Sequence, residues 1–163
     1  MKKLLLPLFI GITFSNYVTA QTAAKAGYVE LGGPGIASAN FDMRFAKKED
    51  GFGGRVGIGG FALGDGAGGR ASILIIPVGI NYLIGKDLKN YFELGVGFTY
   101  INAASKDNFT SDNFSSSFGN ITFGYRLAPA KGGFFFKAEI TPVFGKGFFI
   151  PYYGGVGFGY KFN

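Results

Sequence analysis

The sequence predicts an all-β fold, an eight-stranded antiparallel up-and-down transmembrane β-barrel, and three observations predict it. Apolar residues recur at every second position through most of the chain, which is the period of a strand. The runs are joined alternately by short charged turns and by looser connections, as an up-and-down sheet requires. The non-apolar sides of the runs, taken together, carry nearly matched acids and bases among many glycines.

Residues 1–20 form a targeting segment. Lys2 and Lys3 precede an apolar run, Leu4 to Phe14, and Val18-Thr19-Ala20 is a small-residue cleavage site before Gln21, the anatomy of a signal peptide cut near Ala20. That run is shorter than the ~20 residues a helix needs to span a bilayer. Residues 21–163 are the expected barrel domain.

The first strand begins at Tyr28-Val-Glu-Leu31 and breaks at Gly32-Gly33-Pro34-Gly35. In Ala39 to Phe45, Ala39, Phe41, Met43 and Phe45 oppose Asn40, Asp42 and Arg44. After the turn 47–51, Val56 and Ile58 oppose Arg55, Gly57 and Gly59, and a glycine loop follows at 64–69. Ser72 to Leu83 is the most apolar strand, and Pro77 within it predicts a bulge or a missing ladder bond. Beyond the turn 85–90, Phe92, Leu94, Val96, Phe98 and Tyr100 oppose Glu93, Gly95, Gly97 and Thr99. Residues 102–115, rich in Ser, Asn and Asp, read as the longest irregular connection. Ile121, Phe123, Tyr125 and Leu127 then oppose Asn120, Thr122, Gly124 and Arg126, and after the turn 129–133 Phe134, Phe136, Ala138 and Ile140 oppose Lys137 and Glu139. Pro142 marks a kink, and 145–152 reads as a loop into the closing strand, where Val156, Phe158, Tyr160 and Phe162 oppose Gly155, Gly157, Gly159 and Lys161.

The non-apolar face sets the orientation. It collects Glu30, Asp42, Glu93 and Glu139 with Arg44, Arg55, Arg126, Lys137 and Lys161, and Asn and Thr residues lie between them. Charges so closely matched belong inside a small barrel, where each needs a partner and glycines leave room for long Arg and Lys chains. The apolar face, with the closing strand's Val156, Phe158, Tyr160 and Phe162, then meets lipid. Phe45, Phe52, Tyr82, Phe92, Tyr125, Phe134 and Phe162 lie near the short-turn ends, where an interfacial girdle forms. The alternative arrangement is a soluble, secreted lipocalin-like barrel or sandwich with its apolar face inside.

Composition excludes most catalytic chemistry. The 163 residues include 29 Gly and 20 Phe but no Cys, His or Trp, which removes thiol nucleophiles, Cys/His zinc sites and His-based triads. No cofactor, metal or nucleic-acid partner is expected. Gly57-Ile-Gly-Gly60 and Gly155-Val-Gly157 do not complete a dinucleotide fingerprint. Asn108-Phe-Thr110, Asn113-Phe-Ser115 and Asn120-Ile-Thr122 match a glycosylation pattern by chance. Glu93 and Glu139 could be written as an acid/base pair, but ion pairing with lumenal Arg and Lys is the simpler role.

Tyr28-Val-Glu-Leu-Gly-Gly33, Pro77-Val-Gly-Ile-Asn-Tyr-Leu-Ile-Gly85, Tyr91-Phe-Glu-Leu-Gly-Val-Gly97, Gly124-Tyr-Arg126 and Gly157-Phe-Gly-Tyr-Lys-Phe162, in that order, resemble the small outer-membrane β-barrel proteins of Bacteroidetes-type bacteria. In size the chain is similar to OmpA/OmpX-type barrels. The resemblance implies an outer-membrane fold and location and brings no catalytic residues. The ending also resembles the signal read by the barrel-assembly machinery, through Phe158, Tyr160 and Phe162, although the chain closes on Asn163.

The expected function is therefore a non-enzymatic structural or interaction barrel of the cell outer membrane with a side-chain-plugged lumen. A narrow ion or small-solute channel is the alternative, and a lipid-modifying enzyme a more distant one. Expected partners are outer-membrane lipid and lipopolysaccharide, the assembly machinery during insertion, and a candidate extracellular ligand of the 102–115 loop. A monomer is expected.

Overall fold

The computed structural model describes residues 23–64, 70–106 and 111–162. The signal-peptide reading lies outside the described residues. The strands are β1 (Lys25–Gly32), β2 (Ile36–Arg44), β3 (Gly51–Gly64), β4 (Arg70–Ile84), β5 (Asn90–Lys106), β6 (Ser111–Leu127), β7 (Gly133–Ile140), β8 (Val143–Gly145), β9 (Phe148–Ile150) and β10 (Gly154–Phe162). Neighbours pair antiparallel, β5 pairs with β6, and β10 pairs with β1 from Lys25↔Phe162 to Gly32↔Gly155, so the sheet closes on itself. The result is a closed eight-stranded antiparallel barrel, as the alternation predicts.

Ten segments make eight staves because the last two are interrupted. β7 and β8 both pair with β6 and continue one another across Thr141-Pro142. β9 and β10 form the final stave across Pro151–Tyr153, β9 pairing with β8 and β10 with β7. Pro142 lacks a donor and cannot continue the ladder, but its carbonyl accepts from Ile121 N at 3.1 Å, and Thr141 N donates to Tyr153 O at 2.6 Å. Pro77 acts more mildly. The β3–β4 register runs through Val56↔Val78 and resumes at Gly59↔Ile75. Both strands advance by the same number of residues, so bonds are missing without a bulge.

Two connections differ from the sequence expectation. Most of 102–115 is not irregular, since β5 runs to Lys106 and β6 starts at Ser111, with Asn102↔Ser115 and Ala104↔Asn113 in register. Asn102, Asn113 and Ser115, which read as loop, stand on the outward face of a paired hairpin; within this segment 107–110 fall outside the described residues. Within 145–152, Phe148–Ile150 is strand paired with β8.

The connections at 45–50, 85–89 and 128–132 lie at one end of the barrel with Lys25 and Phe162; this is the short-turn end. At the opposite, hairpin end, β3–β4 and β5–β6 rise beyond their neighbours, whereas β1 and β2 are joined by the single 3-10 turn Gly33–Gly35. All three residues of that turn are buried. It folds inward and fills the lumen below the tall hairpins, contacting strands on every side from β1 to β5 and β10. Pro34 O accepts from Thr99 Oγ1 at 2.7 Å, and Gly35 N donates to Glu30 Oε1 at 2.9 Å.

Glycine is required where this turn meets the closing strand. Gly33 has φ +60°, and a Cβ on Gly155 would lie 2.5 Å from Gly33 N and 2.7 Å from its Cα. Backbone cannot yield there as a side chain could. Gly155→Val should therefore destabilise the barrel by about 1–3 kcal/mol or more, read as a lower urea midpoint for loss of the folded, fast-migrating gel band.

In the 85–89 turn, Asp87 accepts from Lys89 N at 3.0 Å and Asn90 N at 2.7 Å and also from the Asn90 side chain. These bonds, the Asn90 side chain first, hold its carboxyl below the ordinary value. A depressed folded pKa stabilises above the unfolded value near ~4 and is lost as pH falls through the folded one. An Asp87→Asn variant should remove the part of the acid-side stability loss that this turn contributes, as measured by unfolding midpoints from neutral pH downward.

Candidate functional site

The strands' inner positions bring the charged residues together. Glu30, Asp42, Arg44, Arg55, Glu93, Arg126, Lys137, Glu139 and Lys161 are all in the interior, none more than 8% exposed. Asn40, Asn81, Asn120, Thr99, Thr122 and Thr141 are buried with them. Eight of the nine charged residues form one continuous system with two centres.

The first centre is Asp42, towards the short-turn end. Arg44 reaches its Oδ1 at 2.6 Å and Arg126 Nη1 the same oxygen at 2.8 Å, and Arg126 Nη2 and Asn81 Nδ2 reach Oδ2 at 3.0 and 2.6 Å. Arg126 also grips Glu93, from Nε at 2.7 Å and from Nη2 at 2.8 Å. Asn81 completes the loop by donating to Glu93 at 3.0 Å and accepting from Arg44. The second centre is Lys137, with Glu139 at 2.7 Å, Glu93 at 3.5 Å and Glu30 at 3.9 Å. Arg55 meets Glu30 at 3.0 Å. Lys137 thus joins the two centres through Glu93.

Lys161 stands apart at the short-turn mouth. It pairs with Glu49 at 2.6 Å and donates to Pro129 O and Ala130 O at 3.0 Å each, tying the last strand to two turns. Glu49 is a residue that sequence reasoning missed, because it sits in a turn and not on the alternating face. Inward aromatics were missed as well. Tyr28 and Phe135 stack at 4.8 Å between centroids, with the Lys137 ammonium 5.6 Å from the Tyr28 ring and the Arg126 guanidinium 5.2 Å from the Phe135 ring. Their parity with Glu30 and Lys137 was the available signal. The rings cover the cations' faces that carboxylates leave open.

Near Arg44, Leu83, Phe135 and Lys161 the interior is densely packed, with a cavity of ≈ 10 Å³, roughly one water. Glycines make this density possible: a Cβ on Gly53 would sit 2.2 Å from the Arg44 guanidinium carbon. Chemically the carboxylates are occupied. Glu93 and Glu139, the pair open to an acid/base reading, hold Arg126 and Lys137, and among the described residues no group of His, Cys, Asp and Glu could hold a metal ion.

At the hairpin end the polarity inverts. The inward side of the rising strands turns apolar along the cross-strand row Phe61↔Ile73↔Ala103↔Phe114, with Ile75↔Ile101 below it. The outward side there carries Ser72, Asn102, Asn113, Ser115 and Ser117. Phe61, Leu63 and Phe114 are 59%, 65% and 63% exposed. A cavity of ≈ 320 Å³ lies against this row and includes Ser105 and Asn113.

The outer wall below carries the apolar residues of every stave. The girdle aromatics Phe45, Phe52, Tyr82, Phe92, Tyr125, Phe134 and Phe162 are all exposed, and so are Val156, Phe158 and Tyr160 of β10. Phe52 and Tyr82, paired in register, meet edge-on at 4.7 Å.

Removing one partner of a buried ion cluster costs about 3–5 kcal/mol, because the others are left uncompensated. Arg126→Ala takes a cation from both Asp42, which keeps Arg44, and Glu93, which keeps Lys137 at 3.5 Å, and should fall at the lower end of that range, whereas Lys161→Ala at the short-turn mouth, where Glu49 is partly exposed, should cost less. Urea unfolding in micelles, followed by far-UV circular dichroism, measures both.

No protein-family model and no curated protein matches the sequence. Solved structures do match the fold. The N-terminal β-barrel domain of Pseudomonas aeruginosa OprF is 13% identical over 87% of this chain and 98% of its own, with a TM-score of 0.56. Ail, the attachment invasion locus protein of Yersinia pestis, is 14% identical over 86% of this chain and 97% of its own, with a TM-score of 0.55. The same protein in complex with the heparin analogue sucrose octasulfate matches equally. The chain thus shares the fold of small outer-membrane barrels.

Proposed function

We propose that this chain is a non-enzymatic, integral β-barrel of the cell outer membrane, exported by cleavage near Ala20, with a plugged lumen and a working surface at its outward rim. One observation carries the reading: a wall of exposed Phe, Val, Ile and Tyr surrounds an interior in which every lumenal carboxylate lies against a cation. In water such a wall would far exceed the few hundred Å² that soluble monomers expose. In lipid it is the matching surface, and closure leaves no backbone edge at that level. The short-turn end is then periplasmic and the tall hairpins face outward.

The plug supports an interaction role over a channel. An eight-stranded barrel has an interior that side chains fill, and here the 3-10 turn adds backbone to the blockage. The working surface is the rim, where the apolar row of β3–β6 offers a binding face for an extracellular ligand of the 102–115 hairpin. An attachment protein among the structural neighbours fits a barrel that works by contact. Lipopolysaccharide and phospholipid meet the wall, and Phe158, Tyr160 and Phe162 present the assembly machinery with its recognition strand. The barrel acts as a monomer.

Purified protein in planar bilayers should give no steady single-channel conductance. A reproducible open level would overturn the plugged lumen and favour a channel.

A further inference from the structure

The chain's positive excess is concentrated at one end. Past Ala20 it has 14 basic residues, the 16 of the sequence less Lys2 and Lys3, against 10 acidic ones. In the lumen Arg44, Arg55, Arg126 and Lys137 cancel Glu30, Asp42, Glu93 and Glu139, and Lys161 cancels Glu49. Arg70, Lys106 and Lys146 equal Asp65, Asp107 and Asp112 in number. What remains is Lys25, Lys47, Lys48, Lys86, Lys89 and Lys131 against Asp50 and Asp87, all at the short-turn end. The excess of 14 over 10 is thus the excess of these six lysines over two aspartates.

All six lysines are exposed, and none forms an ion pair among the described residues. Only three of them share a patch: Lys47, Lys48 and Lys131 border one depression of ≈ 390 Å³, in which the exposed Leu88 lies with Glu49 and Asp50, and Lys25, Lys86 and Lys89 lie outside it. Lys47 and Lys48 lie between β2 and β3, Lys86 and Lys89 between β4 and β5, Lys131 between β6 and β7, and Lys25 opens β1 opposite Phe162 of β10. Every junction at this end of the barrel carries positive charge, so the charge runs round the circumference. Each junction also lies next to an outward aromatic: Phe45, Phe92, Phe134 or Phe162.

A soluble partner approaches the end of a barrel from one direction and would be served by a localised patch. A ring just beyond an aromatic girdle faces what surrounds the barrel on all sides, the headgroup layer of the adjoining leaflet. Lysine stems can lie along the apolar wall while their ammonium groups reach phosphates, and basic residues beside a membrane attract acidic lipid. We propose that this lysine ring binds anionic phospholipid headgroups of the leaflet at the short-turn end and enriches acidic lipid around the barrel. The proposal rests on the membrane reading above.

The full mature chain, refolded into phosphatidylcholine vesicles with and without phosphatidylglycerol, tests it by electron spin resonance of spin-labelled lipids at the protein boundary. Phosphatidylglycerol should be enriched about two- to fivefold over phosphatidylcholine at low salt. The enrichment should fall towards parity in molar salt, where screening is short-ranged. K47E/K48E/K131E should lose it while keeping the heat-modifiable gel shift, and Lys146→Glu in the β8–β9 turn should retain it. Parity in the wild type at low salt, or equal enrichment in the triple variant, overturns the proposal, and the wild-type salt series decides if the triple variant does not fold. Tight binding of soluble polyphosphate without boundary enrichment also overturns it, in favour of a soluble polyanion. A chain that fails to float with any vesicle overturns the membrane reading itself.

Discussion

Asp42 accepts from Arg44, Arg126 and Asn81, which arrive from β2, β6 and β4. The strands that meet through it are not all neighbours in the sheet, so the carboxylate ties the barrel across its diameter as the ladder does around its circumference. The constraint behind this is the cost of an uncompensated charge away from water. It fixes which side of each strand faces inward, because a slip of one residue would move each inward charge to the wall and each outward aromatic to the lumen. Register, orientation and closure all depend on keeping the interior neutral.

Filling the lumen with charge requires space for long side chains, and the glycines opposite them provide it. Gly53 admits the Arg44 guanidinium, and Gly157 lies against the Lys137 stem, whose Cγ a Cβ there would approach to 2.9 Å. The same economy of bulk lets the β1–β2 connection fold inward. A turn that elsewhere would stand in solvent here becomes part of the packing, held by Thr99 and Glu30. Charge and bulk are divided accordingly: the lower barrel keeps its paired charges inside, and the two ends differ, with an apolar row inside the hairpin end and exposed lysines at the short-turn end.

Much of this was legible in the sequence because alternation is a property of single strands. The inward assignment of Glu30, Asp42, Glu93 and Arg126 needs only parity, and the closed eight-stranded fold needs only the count of runs and the alternation of their connections. Pairing between residues is a different matter. That Lys161 meets Glu49 and not a carboxylate on the alternating face depends on where a turn folds, which period-two reasoning does not reach. The 102–115 segment misled for a related reason: at the hairpin end the outward face becomes polar, so Asn102, Asn113 and Ser115 imitate a loop while remaining in ladder register. The inversion was visible as Ile73, Ile101 and Phe114 on the inward parity, but only the pairing of the hairpins, which carries them beyond the neighbouring strands, gives it meaning.

The glycine face of β10 bears on how the barrel closes. The seam between β1 and β10 joins the two ends of the described chain, so it can form only when both have arrived. On its inner side β10 presents Gly155, Gly157 and Gly159 to a lumen already occupied by Tyr28, Glu30 and the 3-10 turn. Side chains at those three positions would have to thread past the packed interior as the strand docked. Bare backbone can instead zip into place along β1, with Lys161 the one long chain to settle. The bare face therefore belongs to the strand that closes the seam, where a Cβ on Gly155 or Gly159 would meet backbone of the 3-10 turn or of β1 at 2.5 Å or less, so the last stave fits against β1 only with backbone on that side.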